Sequence, residues 1–197
     1  MLIMAVDAAT RTGFCCGVSG QKPRIWAKKL KDPGEPPDKA IRAIGCHLRD
    51  NFNFEKPDLT IVEAPRDMGA NIKTDESAAR GFVFTTRQET ALMLIGLWGA
   101  VHAICGPYGC RSVDAKVQTV RAKVLGNGRP RNPKQEVVNW CVDRGYIPPG
   151  CKDDNMADAT ILWVYACIIY DGQITAPMWR FKSGDDVFSH PFSGAAR

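Results

Sequence analysis

The first apolar run of the chain ends in an acid: Leu2-Ile3-Met4-Ala5-Val6 leads straight into Asp7. A later run, Leu59-Thr60-Ile61-Val62, leads in the same way into Glu63. Unbroken apolar runs of this length read as strands covered on both faces. A third acid, Asp158, stands in the first turn or two of the last helix, which runs to about Tyr170 and is apolar nearly all round, so that it reads as buried. A carboxylate in apolar surroundings is costly unless something pairs it. Neither strand offers a cation beside its acid. If the strands are neighbours, the two carboxylates repel, and a divalent ion held by their oxygens resolves the conflict. Taken singly, each acid has a simpler reading. Asp7 could cap a turn, Glu63 could pair with Arg66, and Asp158 could complement its helix dipole. Their common placement at the edges of apolar elements favours a shared site.

The rest of the chain supplies a frame for these strands. Residues 13–19 form a second small apolar run and 24–30 a weaker third, which predicts an antiparallel meander. Lys31-Asp32-Pro33-Gly34-Glu35-Pro36-Pro37 is a loop by composition, and Ala40, Ile41, Ile44 and Leu48 then recur at helical spacing to near Asn51. Residues 66–86 carry no clear period and read as a long surface loop, a length that is often functional. A strongly apolar helix is predicted over 87–104, a short strand over 110–113, and a helix over 114–125 ending at Gly126-Asn127-Gly128. Pro133 suits the first turn of a further helix to about Arg144, and Asp153-Asp154-Asn155 can cap the last one, to about Tyr170. The expected fold class is α/β: a mixed sheet, antiparallel in its first three strands and then parallel, with helices on both faces. One domain over 1–172 is expected. The tail, 173–197, is rich in Gly, Ser and Pro, with Trp179 and Phe181 as docking points.

Composition narrows the class of molecule. With 197 residues, 45% of them hydrophobic and 24% charged, the chain can bury a core without staples. The eight cysteines form no CxxC pair and sit mostly among apolar neighbours, which points to free buried thiols rather than to zinc or disulfides. The N-terminus turns acidic too soon for a signal peptide. The longest apolar run falls short of the roughly 20 residues needed to span a membrane. A cytoplasmic protein with no membrane partner is expected. The net charge of +5 permits a polyanionic partner without requiring one.

The acidic motifs carry a resemblance. Met4-Ala5-Val6-Asp7-Ala8-Ala9-Thr10-Arg11-Thr12-Gly13-Phe14 resembles the first strand and turn of the RuvC-type Holliday junction resolvases. Thr60-Ile61-Val62-Glu63 resembles their second acidic strand, and Asp154-Asn155-Met156-Ala157-Asp158-Ala159 their final helix motif. The likeness is greatest to the RuvC-like endonucleases of bacteriophages and prophages, and it covers about residues 1–170. It implies an RNase H-like fold, a site for two Mg²⁺ or Mn²⁺ ions, cleavage of branched DNA, and a bacterial cytoplasm as the place of work. Asp7 would bridge both ions, with Glu63 and Asp158 each completing one coordination sphere. The chain departs from the pattern at two places. Asn155 stands where the bacterial family has an acid three residues before its last Asp; Asp154 lies on the same helical face as Asp158 and is the better fourth ligand, with Asn155 as a neutral oxygen in reserve. Arg66 stands where that family has an aromatic, and Phe82 and Phe84 are alternative base-stacking wedges.

The segment 121–134 holds Arg121, Lys123, Arg129, Arg131 and Lys134, no acid, and a Gly-Asn-Gly turn leading to a helix start, a combination suited to phosphate. Lys116 and Lys134 are the expected lysines for scissile-strand phosphates. Lys22, Arg24, Lys28, Lys29 and Lys31 read as a solvated edge that blocks strand pairing. A homodimer is expected, since a four-way junction has approximate two-fold symmetry. Three rival readings compete: the same fold acting on another structured nucleic acid, an actin-like ATPase, and a DNA-binding factor without catalysis. The ATPase reading needs a second Gly-rich phosphate loop after a later Asp, which is absent from the sequence.

Overall fold

The structure, a computed structural model, describes residues 1–65, 88–129 and 131–172. Five strands alternate with helices: β1 (Leu2–Asp7), β2 (Arg11–Val18), β3 (Arg24–Lys29), α1 (Pro37–Phe54), β4 (Leu59–Glu63), α2 (Gln88–Cys105), β5 (Arg111–Ala115), α3 (Val117–Leu125), α4 (Pro133–Asp143) and α5 (Asp154–Ala166). They form one sheet in the order β3-β2-β1-β4-β5. The β1–β2 and β2–β3 pairs are antiparallel, and the β1–β4 and β4–β5 pairs are parallel. The meander and the switch to parallel pairing are as the sequence predicts.

The apolar runs are continuous because both faces of the sheet are covered. Along β1, Ile3 and Ala5 join α3, α4 and α5 in one core, while Met4 and Val6 join α1 and α2 in the other. In β4, Leu59 and Ile61 face the first core and Val62 the second. By the same alternation, Asp7 and Glu63 fall on the face covered by α5. Trp163 of α5 is fully buried and donates its indole N–H to the carbonyl oxygen of Ile3 at 3.2 Å, tying the helix across β1.

Three boundaries differ from the sequence prediction. Strand β5 continues through Asp114 and Ala115, which pair with Val62 and Glu63, so α3 starts only at Val117. The ladder to β4 outweighs the helix-start character of Asp114. Helix α1 reaches back to Pro37, with proline in the first turn where its missing N–H costs nothing. Helix α5 ends at Ala166 and passes into a π-helical turn, Cys167–Asp171, before Gly172 at φ 62°. All eight cysteines are free. Among the described residues no helix is long and apolar enough to cross a membrane.

Candidate metal centre

Asp7 and Glu63 end neighbouring parallel strands, one step beyond the last paired residues, Val6 and Val62. Helix α5 brings its N-terminus over them. The approach is possible because Gly13, paired with Asp7 across the β1–β2 ladder, has no side chain. A Cβ there would lie 1.9 Å from the carbonyl oxygen of Asn155 and 3.2 Å from the Cβ of Ala159. A glycine inside a strand often marks such a close approach.

Asp153 fixes the helix end. One of its carboxylate oxygens accepts from the backbone N–H groups of Asn155 at 3.2 Å and Met156 at 3.3 Å, an N-cap. The other accepts from Arg11 Nε at 3.1 Å and Nη2 at 2.5 Å. The start of β2 and the start of α5 are thereby clamped together. Burial alone would lift the Asp153 carboxyl, but the Arg11 and helix-amide hydrogen bonds hold it below the ordinary carboxylate range. This clamp was missed in the sequence; the capping potential of residues 153–155 was visible, but nothing marked Arg11 as its partner.

With α5 so placed, Asp154 and Asp158 join Asp7 and Glu63. Burial, and then the charges of Glu63, Asp158 and Asp154, push Asp7 well above the ordinary carboxylate value, while Lys134 opposes them weakly. Asp158 is also raised, mainly by burial, with Arg121 opposing. Asp158 and Asp154 each have a cationic partner. Arg121 Nη2 lies 3.3 Å from Asp158 Oδ1, with both side chains mostly buried, and Lys134 pairs with Asp154 at the exposed rim. The Asn155 side-chain amide donates weakly to Asp153 and Asp154, each at 3.4 Å, and so braces the acids with its nitrogen.

Among the described residues, no three His, Cys, Asp or Glu side chains are gathered closely enough to hold a metal ion as they stand. In this arrangement Asp158 is engaged by Arg121 and Asp154 by Lys134. The donor set fits a hard divalent cation. It is all carboxylate, and Asp7 is raised first by burial and then by its like-charged neighbours.

The other predicted residues fall into two groups. Lys116, Lys123, Arg129 and Arg131 are exposed. Lys116 immediately precedes α3, and the remainder lie along α3 and the turn after it. Phe82, Phe84 and Arg66 lie outside the described residues, as do Trp179 and Phe181. The glycines at 126 and 128 have local work. Gly126 takes φ 79° as the left-handed cap of α3, and a Cβ on Gly128 would come within 2.9 Å of the Gln118 carbonyl oxygen. Both glycines are thus required by the local backbone of this turn.

This arrangement of a mixed five-stranded sheet between two helical layers is the RNase H-like α/β fold, in the form built by RuvC-type proteins. The chain is similar to RuvC of Thermus thermophilus, at a TM-score of 0.59 and 19% identity, over 87% of this chain and 97% of that one. It is similar to the same protein in complex with a Holliday junction substrate, at a TM-score of 0.60 and 19% identity, over 84% and 92% of the two chains. It also resembles the yeast mitochondrial Holliday junction resolvase Ydc2, at a TM-score of 0.50 and 14% identity, over 84% and 77%. No protein-family model and no curated protein matches the sequence.

Proposed function

We propose that the chain is a metal-dependent endonuclease that hydrolyses phosphodiester bonds in branched DNA, with the four-way junction as its preferred substrate. The observation that carries this reading is the placement of Asp7 and Glu63 on adjacent strand ends beneath the N-terminal end of α5, which carries Asp154 and Asp158. The names of the fold neighbours, two of which refer to Holliday junctions, support the choice of DNA. The phage-like character of the acidic motifs agrees with it.

Asp7, Glu63, Asp154 and Asp158 would together hold the divalent ions, Mg²⁺ or Mn²⁺. When bound, such ions activate an attacking water and stabilise the leaving oxygen. Asp7 takes part as a carboxylate, since a bound cation reverses the effects that favour its protonated form. Gly13 and the Arg11–Asp153 clamp hold α5 at its working distance. Arg121 keeps the mostly buried Asp158 charge compensated. Exposed Lys116, Lys123, Arg129 and Arg131 would take phosphates of the DNA arms, which position the substrate without reading its sequence. A homodimer, joined through α2, would make the paired cuts that a two-fold symmetric junction invites.

The test is incubation of the purified protein with a labelled four-way junction, a fork and a linear duplex, with and without Mg²⁺ or Mn²⁺. Symmetric, metal-dependent cuts in the junction that vanish with Asp7→Asn are expected. Cutting confined to the fork or duplex would reassign the substrate. Binding without cutting of any of them would make the chain a DNA-binding factor instead.

A further inference from the structure

The two cations in the acidic cluster are held very differently. Arg121 is 12% exposed and its partner Asp158 17%, so this pair is enclosed and expensive to separate. Lys134 is 75% exposed and Asp154 30%, so this pair is solvated and opens at little cost. Lys134 also stands in the first turn of α4, directly after Pro133, where the helix has no side-chain cap. That end of a helix disfavours a cation and favours an anion. Lys134 therefore stays there with a carboxylate beside it, and a phosphate would serve equally well. Exposed Arg129 and Arg131 lie a few residues upstream, on the same approach.

The acids meanwhile are not gathered closely enough, among the described residues, to hold a metal ion as they stand. A cation that took Asp154 as a ligand would have to displace Lys134 from it. From these placements we propose that Lys134 is an exchangeable counter-ion: it neutralises Asp154 until a divalent ion takes over that carboxylate, and then passes to a DNA phosphate. Metal and DNA binding then reinforce each other, and by linkage each tightens the other equally. Arg121 does not exchange, because its pair is enclosed. The proposal rests on the metal-dependent reading above and adds a specific coupling to it.

The experiment uses the full chain and Lys134→Met. Junction binding is titrated against salt for both proteins, once with chelator and once with saturating Ca²⁺, and Ca²⁺ binding is measured by calorimetry without DNA. With chelator, the two proteins should show the same slope of log K against log salt, because Lys134 is occupied by Asp154. With Ca²⁺, the wild-type slope should be steeper than that of the variant by about 0.9, the value for one additional neutralised phosphate. Comparing two proteins within each condition cancels the action of Ca²⁺ on the DNA itself. Lys134→Met should also bind Ca²⁺ severalfold more tightly than wild type. Equal slopes in both conditions, or the same difference in both, would overturn the exchange while leaving the metal centre standing. Absence of any binding heat with Ca²⁺ and with Mn²⁺ would remove the metal centre itself, and the exchange with it.

Discussion

Asp7 is the residue on which burial and charge press hardest, and its energetics can be read without any substrate. Burial, followed by Glu63, Asp158 and Asp154, raises its carboxyl well above the ordinary value. The unfolded chain loses that proton near pH 3.9, and the folded chain only at higher pH. Between those points the native state binds more protons, so stability falls as pH rises through the window. At neutral pH this raised carboxyl is a cost to the folded state that an uncharged side chain would not carry. Asp7→Asn should therefore stabilise the protein in chelator at pH 7, and the gain should disappear as pH falls below about 4. Excess Mn²⁺ should reverse the order, raising the melting temperature of the wild type and leaving Asp7→Asn behind. Thermal melts across pH, with and without metal, check both halves. A variant less stable than wild type at neutral pH in chelator would mean that the carboxylate has a partner worth more than its burial costs.

At the scale of elements, the site is made by one close contact between β2 and α5, and Gly13 is its contact point. Gly13→Ala places a methyl 1.9 Å from a backbone carbonyl oxygen, so the helix end must withdraw. Overpacking of this kind costs about 1–3 kcal/mol, and more where backbone must move. Asp154 and Asp158 withdraw with the helix, so junction cleavage should fall further than stability alone accounts for. Gly45→Ala in α1 is the control: its Cβ meets nothing within 4 Å, and removing a mid-helix glycine should stabilise by about 0.5–1 kcal/mol. Urea melts and cleavage rates on both variants separate the two effects. The same contact shows what sequence could and could not reveal. The strands ending in Asp7 and Glu63 were legible because burial on both faces leaves unbroken apolar runs. Helix α5 was legible from its cap residues and apolar length. The end of β5 was misread, because Asp114 is as suited to begin a helix as to end an edge strand, and only pairing with Val62 decides. The Arg11–Asp153 clamp joins residues far apart in the chain, and no local pattern encodes such a partner.

At the scale of the whole molecule, α2 has more apolar surface than the core uses. Ala91, Met93, Leu97, Val101 and Cys105 are buried on its inner side, yet Leu92 is 59% and Ile95 41% exposed on the outer side. These two aliphatics are three residues apart, so they share a face one turn long. The sheet is already covered by α1 and α2 on this side, so no further part of the described fold covers that face. A second copy placed about a two-fold axis would cover it with the same residues of its own α2. Leu92→Glu combined with Ile95→Glu should then convert a dimer to a monomer in sedimentation at micromolar concentration. Both positions are exposed in the single chain, so the melting temperature of the monomer should change little, within about 0.5 kcal/mol of stability. The monomer would keep the proposed metal centre, since Asp7, Glu63, Asp154 and Asp158 all come from one chain. Its products should accordingly shift from paired incisions to single nicks in the junction. A wild type that sediments as a monomer, or a double variant that remains dimeric, would remove α2 as the interface.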